Sequence, residues 1–210
     1  MEIIPTILAQ ESRELRKKIR ALEGVVKKVQ LDIVDGRFAP NVTVMPKHFI
    51  RFHTKLKLQI HLMCFKPEQY VLSFAQIGAK EFIFHVEATK NPDRVIEIIK
   101  SKKMEPGVAL LPKTKVSSVK KTIKKVKLVL ILSVHPGFSG QPIIADCLQK
   151  IREVRKINPK AKVVLDGGIN EVTIPLVKKY KPSYLAVGHA IWKEKDPAIA
   201  IKKLKKAKRG

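Results

Sequence analysis

The sequence predicts an α/β protein, a closed (β/α)8 TIM barrel made by a single domain over residues 1–210. Three observations point to it. Short apolar runs alternate along the chain with amphipathic stretches at helical spacing. Such alternation builds a parallel sheet covered by helices. It occurs eight times in 210 residues, about 26 residues per unit, which is close to the shortest βαβ repeat and suits a compact barrel. A doubly wound open sheet lacks its mark here, because no Gly-x-Gly-x-x-Gly turn follows the first strand.

Strand one spans Ile3 to Leu8, and a helix follows through Ser12 to Leu22. Strand two, Val29 to Val34, carries Gln30 and Asp32 at alternate positions, so both point to one face. Pro46 starts a short helix through Phe52. Strand three is Leu56 to Met63, and its helix, from near Pro67, buries Tyr70, Val71, Phe74 and Ile77. Strand four is Glu81 to Val86, and Asn91-Pro92 caps the helix after it. Strand five is Pro106 to Leu111, with a helix through Val116 to Val126. Strand six is Leu128 to Val134, followed by a helix with Ile143, Ile144, Cys147, Leu148, Ile151 and Val154 on one face. Strand seven is Lys162 to Leu165, with a helix from Asn170 to about Tyr180. Strand eight is Tyr184 to Val187, and Asp196-Pro197 opens the last helix.

Composition narrows the function classes. Hydrophobic residues make up 45% of the chain, and no apolar run nears the roughly 18 residues that span a bilayer. No secretory signal is read at the N-terminus, so a cytoplasmic protein without membrane contact is expected. Cys64 and Cys147 fit no metal spacing and are expected as buried thiols in a reducing compartment. The net charge of +25 raises nucleic acid as a partner, but the lysine pairs recur on every helix, as on solvated outer faces. Only Lys202 to Arg209 forms a local basic patch. General attraction of anionic substrates is the expected consequence.

Barrel enzymes carry their sites at the C-terminal ends of the strands. Those ends hold Asp32 and Asp35, His61, His85 and Glu87, His135, Asp166 and His189, which places four of the six histidines at one rim. Asp32 and Asp166, on strands two and seven, are placed to face each other across the mouth, as inversion of a carbon centre needs. Gly167, Gly168 and Gly188 open the loops where barrels bind phosphate through backbone N–H groups, though tight turns also demand glycine. Pro136-Gly137-Phe138-Ser139-Gly140-Gln141 reads as a lid or a long turn.

Along its whole length the chain resembles the ribulose-phosphate 3-epimerase family. The resemblance is carried by Pro5-Thr6-Ile7-Leu8, Asp32 to Asn41, His61-Leu62-Met63, His85-Val86-Glu87-Ala88, Ser133 to Gln141, Asp166-Gly167-Gly168-Ile169 and Gly188-His189-Ala190. It implies interconversion of D-ribulose 5-phosphate and D-xylulose 5-phosphate, in the pentose phosphate pathway, by an enzyme that is commonly a homo-oligomer. It implies Asp32 and Asp166 as the acid/base pair at C3 and, with His61, as ligands of one divalent metal ion (Zn, Fe, Mn or Co). It assigns substrate contact to Thr6, His61, Met63 and the Gly137, Phe138, Ser139, Gly140 loop, and phosphate binding to Gly167, Gly168, Gly188 and His189. Asp35 and Glu87 become structural supports.

The chain departs from that pattern at several positions. Gln30 stands where the family has a His ligand, which leaves three ligands and implies weak metal occupancy. Thr6 replaces a Ser, Val34 and Leu132 replace methionines, and His189 replaces a Ser. Without metal, the Gln30 amide is expected to donate to the enediolate. A related ketose phosphate (D-allulose 6-phosphate) and a catalytically idle phosphosugar-binding barrel are the alternatives, with RNA binding a remoter one.

Overall fold

Eight parallel strands hydrogen-bond in sequence order and close, with the first pairing to the last through Glu2 and Tyr184. They are β1 (Glu2–Ile7), β2 (Lys28–Val34), β3 (Lys57–Met63), β4 (Glu81–His85), β5 (Glu105–Leu110), β6 (Leu128–Leu132), β7 (Lys162–Asp166) and β8 (Tyr184–Val187). The computed structural model describes residues 1–49 and 53–209. Alternate side chains of each strand serve two cores. On β2, Val29, Leu31 and Ile33 join the shell between sheet and helices. The helix Ser12–Leu22 buries Leu15, Ile19 and Leu22, and Pro92–Ser101 buries Val95, Ile96 and Ile99 against that shell.

The barrel interior has two characters. Ile83, Ala109, Leu130, Leu132, Val134, Val164 and Ala186 fill one side with apolar volume. Thr6, Lys28, Gln30, Asp32, Gln59, His61, Glu81 and His85 are buried polar groups contributed by β1 to β4. At the N-terminal floor Lys28 Nζ donates to both oxygens of Glu81, at 3.0 and 2.9 Å, and lies 4.5 Å from the Tyr184 ring centroid. Lys57 and Gln59 donate to the same carboxylate at 2.6 Å each.

Several helices are shorter than their apolar spacing predicts, because 3-10 turns or a polar side chain take the backbone at their starts. Asn170 Oδ1 accepts from the N–H groups of Val172 and Thr173, so the expected Asn170–Tyr180 helix is the α-helix Ile174–Lys178. The stretch Val116 to Val126 is a 3-10 turn, Val116–Val119, followed by one α turn, Lys120–Ile123. A 3-10 turn, Pro67–Gln69, precedes Val71–Gln76, and Ile77 lies just beyond that helix. After β6, a 3-10 turn, Ala145–Leu148, leads into Gln149–Ile157. β6 ends at Leu132, since Ser133 turns to donate from both N–H and Oγ to the Asp166 carbonyl, at 2.7 and 2.8 Å. The helix expected from Pro46 is a 3-10 turn, Pro46–Phe49, and residues 50–52 lie outside the described residues. A helical turn, His189–Trp192, was not apparent from the apolar spacing. Asn91 caps its helix as expected, accepting from Arg94 N–H at 3.1 Å. Cys64 and Cys147 are buried free thiols.

Candidate active site

In-register pairing places Asp32 beside His61 on β2 and β3, and Leu132 beside Asp166 on β6 and β7. All three polar side chains point into the mouth, and their ligand atoms lie within 4.8 Å of one another. His61 Nδ1 is 3.1 Å from Asp32 Oδ1 and 3.3 Å from Asp166 Oδ2. Burial opposes the imidazolium, but hydrogen bonds to Asp166 and Asp32 and their negative charge outweigh it, raising the His61 pKa to about 9. Burial, followed by the charge of Asp166, pushes the Asp32 carboxyl above its ordinary range.

Behind His61 runs a second row. His61 Nε2 is 3.0 Å from His85 Nε2, and His85 Nδ1 is 3.3 Å from Glu87 Oε2. Burial dominates at His85, whose pKa falls to about 4, so its ring is neutral near pH 7. A carboxylate only accepts, so the His85 proton sits on Nδ1 and its bare Nε2 accepts from His61 Nε2–H. Glu87 is fixed in turn by Leu111 N–H at 2.9 Å and by the Thr114 hydroxyl. This row fixes the ring orientation of His61 by accepting from its Nε2–H, a supporting part consistent with the one expected for Glu87. Asp35 is a turn staple: its carboxylate accepts from the N–H groups of Arg37, Phe38 and Phe65, at 2.8, 2.7 and 3.1 Å.

Gln30 fills the centre of the cluster. Its Nε2 donates to Asp32 Oδ1 and Asp166 Oδ2 at 2.7 Å each, and lies 3.5 Å from His61 Nδ1. The amide orientation follows from chemistry, because Oε1 turned the other way would set lone pairs against two carboxylates. Oε1 is buried without a hydrogen-bond partner among the described residues, an arrangement that costs about 1–3 kcal/mol. Two carboxylates and one imidazole form a donor set suited to a divalent ion with open positions. The space among those donors is taken by the Gln30 nitrogen. Both its N–H groups are engaged, so the amide has none for an enediolate oxygen, which replaces the expectation from sequence.

A cavity of about 300 Å³ opens above the cluster. It brings together Thr6, Asp32, His61, Met63 and Asp166, the loop Gly137 to Gly140, and Gly167, Gly168, Gly188 and His189. Gly168 has φ +68°, and a Cβ there would lie 2.5 Å from the Ile143 nitrogen, so both turn and packing demand glycine. Gly188 has no such φ; its missing Cβ makes room for Thr6 Oγ1, which would stand 2.7 Å away. The loop after β6 is tied down: Asn41 Nδ2 donates to the Gly137 carbonyl at 2.6 Å, and Gln141 Nε2 to the carbonyls of His135 and Phe138 at 2.7 and 2.8 Å. Leu8, Lys18, Trp192 and Lys193 also line the cavity, and sequence reasoning missed them. Lys18 and Lys193 look like any other lysine in sequence; the rarity of Trp192, the single tryptophan, is the one signal that could have found it.

Residues 2–192 match the Ribulose-phosphate 3 epimerase family. Relatives named ribulose-phosphate 3-epimerase include one from Bacillus subtilis, 34% identical across 99% of this chain and 100% of its own. One from Methanocaldococcus jannaschii is 34% identical across 99% and 91%, and the cytoplasmic isoform of Oryza sativa is 36% identical across 87% and 82%. Among solved structures, 3-hexulose-6-phosphate synthase from Salmonella typhimurium superposes with TM-score 0.71 at 14% identity, covering 100% of this chain and 99% of that one. Orotidine 5'-monophosphate decarboxylase from Sulfolobus solfataricus gives 0.66 at 11% identity, covering 99% and 97%. At such identities the likeness is one of fold. The sequence matches reach further, and the chain belongs to the ribulose-phosphate 3-epimerase family.

Proposed function

We propose that the chain is a 3-epimerase interconverting D-ribulose 5-phosphate and D-xylulose 5-phosphate. The observation that carries this reading is the convergence of Asp32 and Asp166, from β2 and β7, on one cavity. The C3 proton of a 2-ketose is acidified by the adjacent carbonyl. One carboxylate removes it, leaving an enediolate, and the other carboxylic acid returns a proton to the opposite face of C3. Each turnover therefore starts with one carboxyl ionised and the other protonated. Two close, buried carboxyls favour that state, because their repulsion disfavours double ionisation, and the raised Asp32 pKa agrees with it.

Thr6, Met63 and the loop Gly137 to Gly140 would enclose the sugar, while backbone N–H groups at Gly167, Gly168, Gly188 and His189 would take the phosphate. A divalent ion, where bound, would be held by Asp32, His61 and Asp166 and would supply a Lewis acid for the enediolate. Zn, Fe, Mn and Co are all compatible with that donor set, and weak occupancy follows from the Gln30 amide among the ligands. The reading includes a cytoplasmic location; among the described residues no helix is long and apolar enough to cross a membrane. It also includes self-association, which Leu176 and Ile199, exposed apolar residues on neighbouring helices, favour. The excess lysine draws in anionic substrates rather than nucleic acid.

The test is direct. Purified protein should convert ribulose 5-phosphate to xylulose 5-phosphate in a coupled assay. Asp32→Asn and Asp166→Asn should each lower kcat at least a thousandfold with an unchanged circular dichroism spectrum. Turnover surviving in either variant would discard the two-carboxylate assignment.

A further inference from the structure

We propose that Gln30 is a positioning residue that stands in the place of a cation: its amide holds Asp32 and Asp166 in working geometry without metal, and an ion enters only by displacing it. The proposal rests on the epimerase reading and adds to it.

Three observations carry it. First, the Gln30 nitrogen makes one hydrogen bond to each carboxylate, both at 2.7 Å, and so ties β2 to β7 across the two strands, β1 and β8, that lie between them. Second, Gln30 is fully buried, one inward step below Asp32 on β2, so its influence on a substrate passes through the carboxylates it holds. Third, Oε1 has no hydrogen-bond partner among the described residues, so the amide's bonding is spent on one side. The side chain gives up an acceptor's partner to keep two donors on the carboxylates. A metal ligand supplies a lone pair to the cluster, whereas this nitrogen supplies protons. The amide therefore bridges the carboxylates as a cation does, and it competes with a cation for the same oxygens.

The experiment uses chelator-treated, dialysed protein and two readouts. Titration calorimetry with Mn²⁺ or Zn²⁺ alone should show Gln30→His binding at least tenfold more tightly than the unaltered protein. In the epimerase assay, chelation should change the unaltered protein's kcat by less than twofold. Chelated Gln30→Ala should lose at least tenfold in kcat with KM within twofold, and added Mn²⁺ should restore it. If Gln30→Ala fails to fold, Gln30→Met, of similar length, carries the same comparison. Loss of the unaltered protein's activity on chelation, with recovery on adding metal, would overturn the proposal. So would metal binding as tight as that of Gln30→His. Absence of turnover under every condition would count against the epimerase reading instead, and calorimetry alone would then decide the role of Gln30.

Discussion

The two halves of the barrel interior solve the same packing problem by opposite means. From β5 to β8 the inward residues are mostly small or branched hydrophobes, Ala109, Leu130, Leu132, Val164 and Ala186, which need only volume. From β1 to β4 they are mostly polar, and each needs a named partner: Lys28 has Glu81, Gln30 has two carboxylates, and His61 has His85 behind it. The apolar half tolerates substitution in proportion to the space left behind. The polar half is organised by pairs, and its cost comes when one partner is removed while the other stays buried. Chemistry sits where the paired side meets Asp166 of β7, because there charge is held at fixed positions.

Breaking the floor pair should have the largest effect. Glu81→Ala leaves Lys28 buried without a carboxylate, and should lower stability by about 3–5 kcal/mol in urea denaturation. Leu130→Ala on the other side should cost about 2–5 kcal/mol by the same measurement. The contrast sharpens with Lys28→Met, Gln59→Leu and Glu81→Leu combined, which removes the buried groups that need the carboxylate and should recover most of the loss, whereas no second change at those three positions should rescue Leu130→Ala.

A smaller effect concerns pH. The folded pKa of His85, about 4, lies below the ordinary histidine value of about 6.5. Between those values the unfolded chain binds a proton that the folded chain does not, so stability falls as pH drops from about 6.5 towards 4. His85→Gln should flatten that part of a stability profile by up to one proton. The smallest effect should come from Asn41→Ala, which frees the Gly137 carbonyl and loosens the loop: KM for the sugar phosphate should rise about two- to fivefold, with kcat little changed.

Strand order and the rim residues were legible because the alternation along β2 and β3 sets Gln30, Asp32 and His61 on one face whatever the helices do. The helix starts at Asn170 and Val116 were not, since local hydrogen bonds and 3-10 turns override an apolar spacing that continues past them. Gln30 was visible as an unusual residue, but not as the bridge between β2 and β7, which depends on how far two strands across a barrel stand apart. The tie from Asn41 to the loop after β6 is equally a product of closure, spanning 96 residues of sequence.

The Lys28–Glu81 pair has a bearing on proton traffic. A vessel stoppered at its base exchanges with bulk water through one opening, and here the loop held by Asn41 lines that opening. Hydrogen taken from the sugar is therefore traded with solvent through that mouth alone. Tritium washed out of substrate during turnover would thus set the rate of exchange at that mouth against the turns of the chemistry.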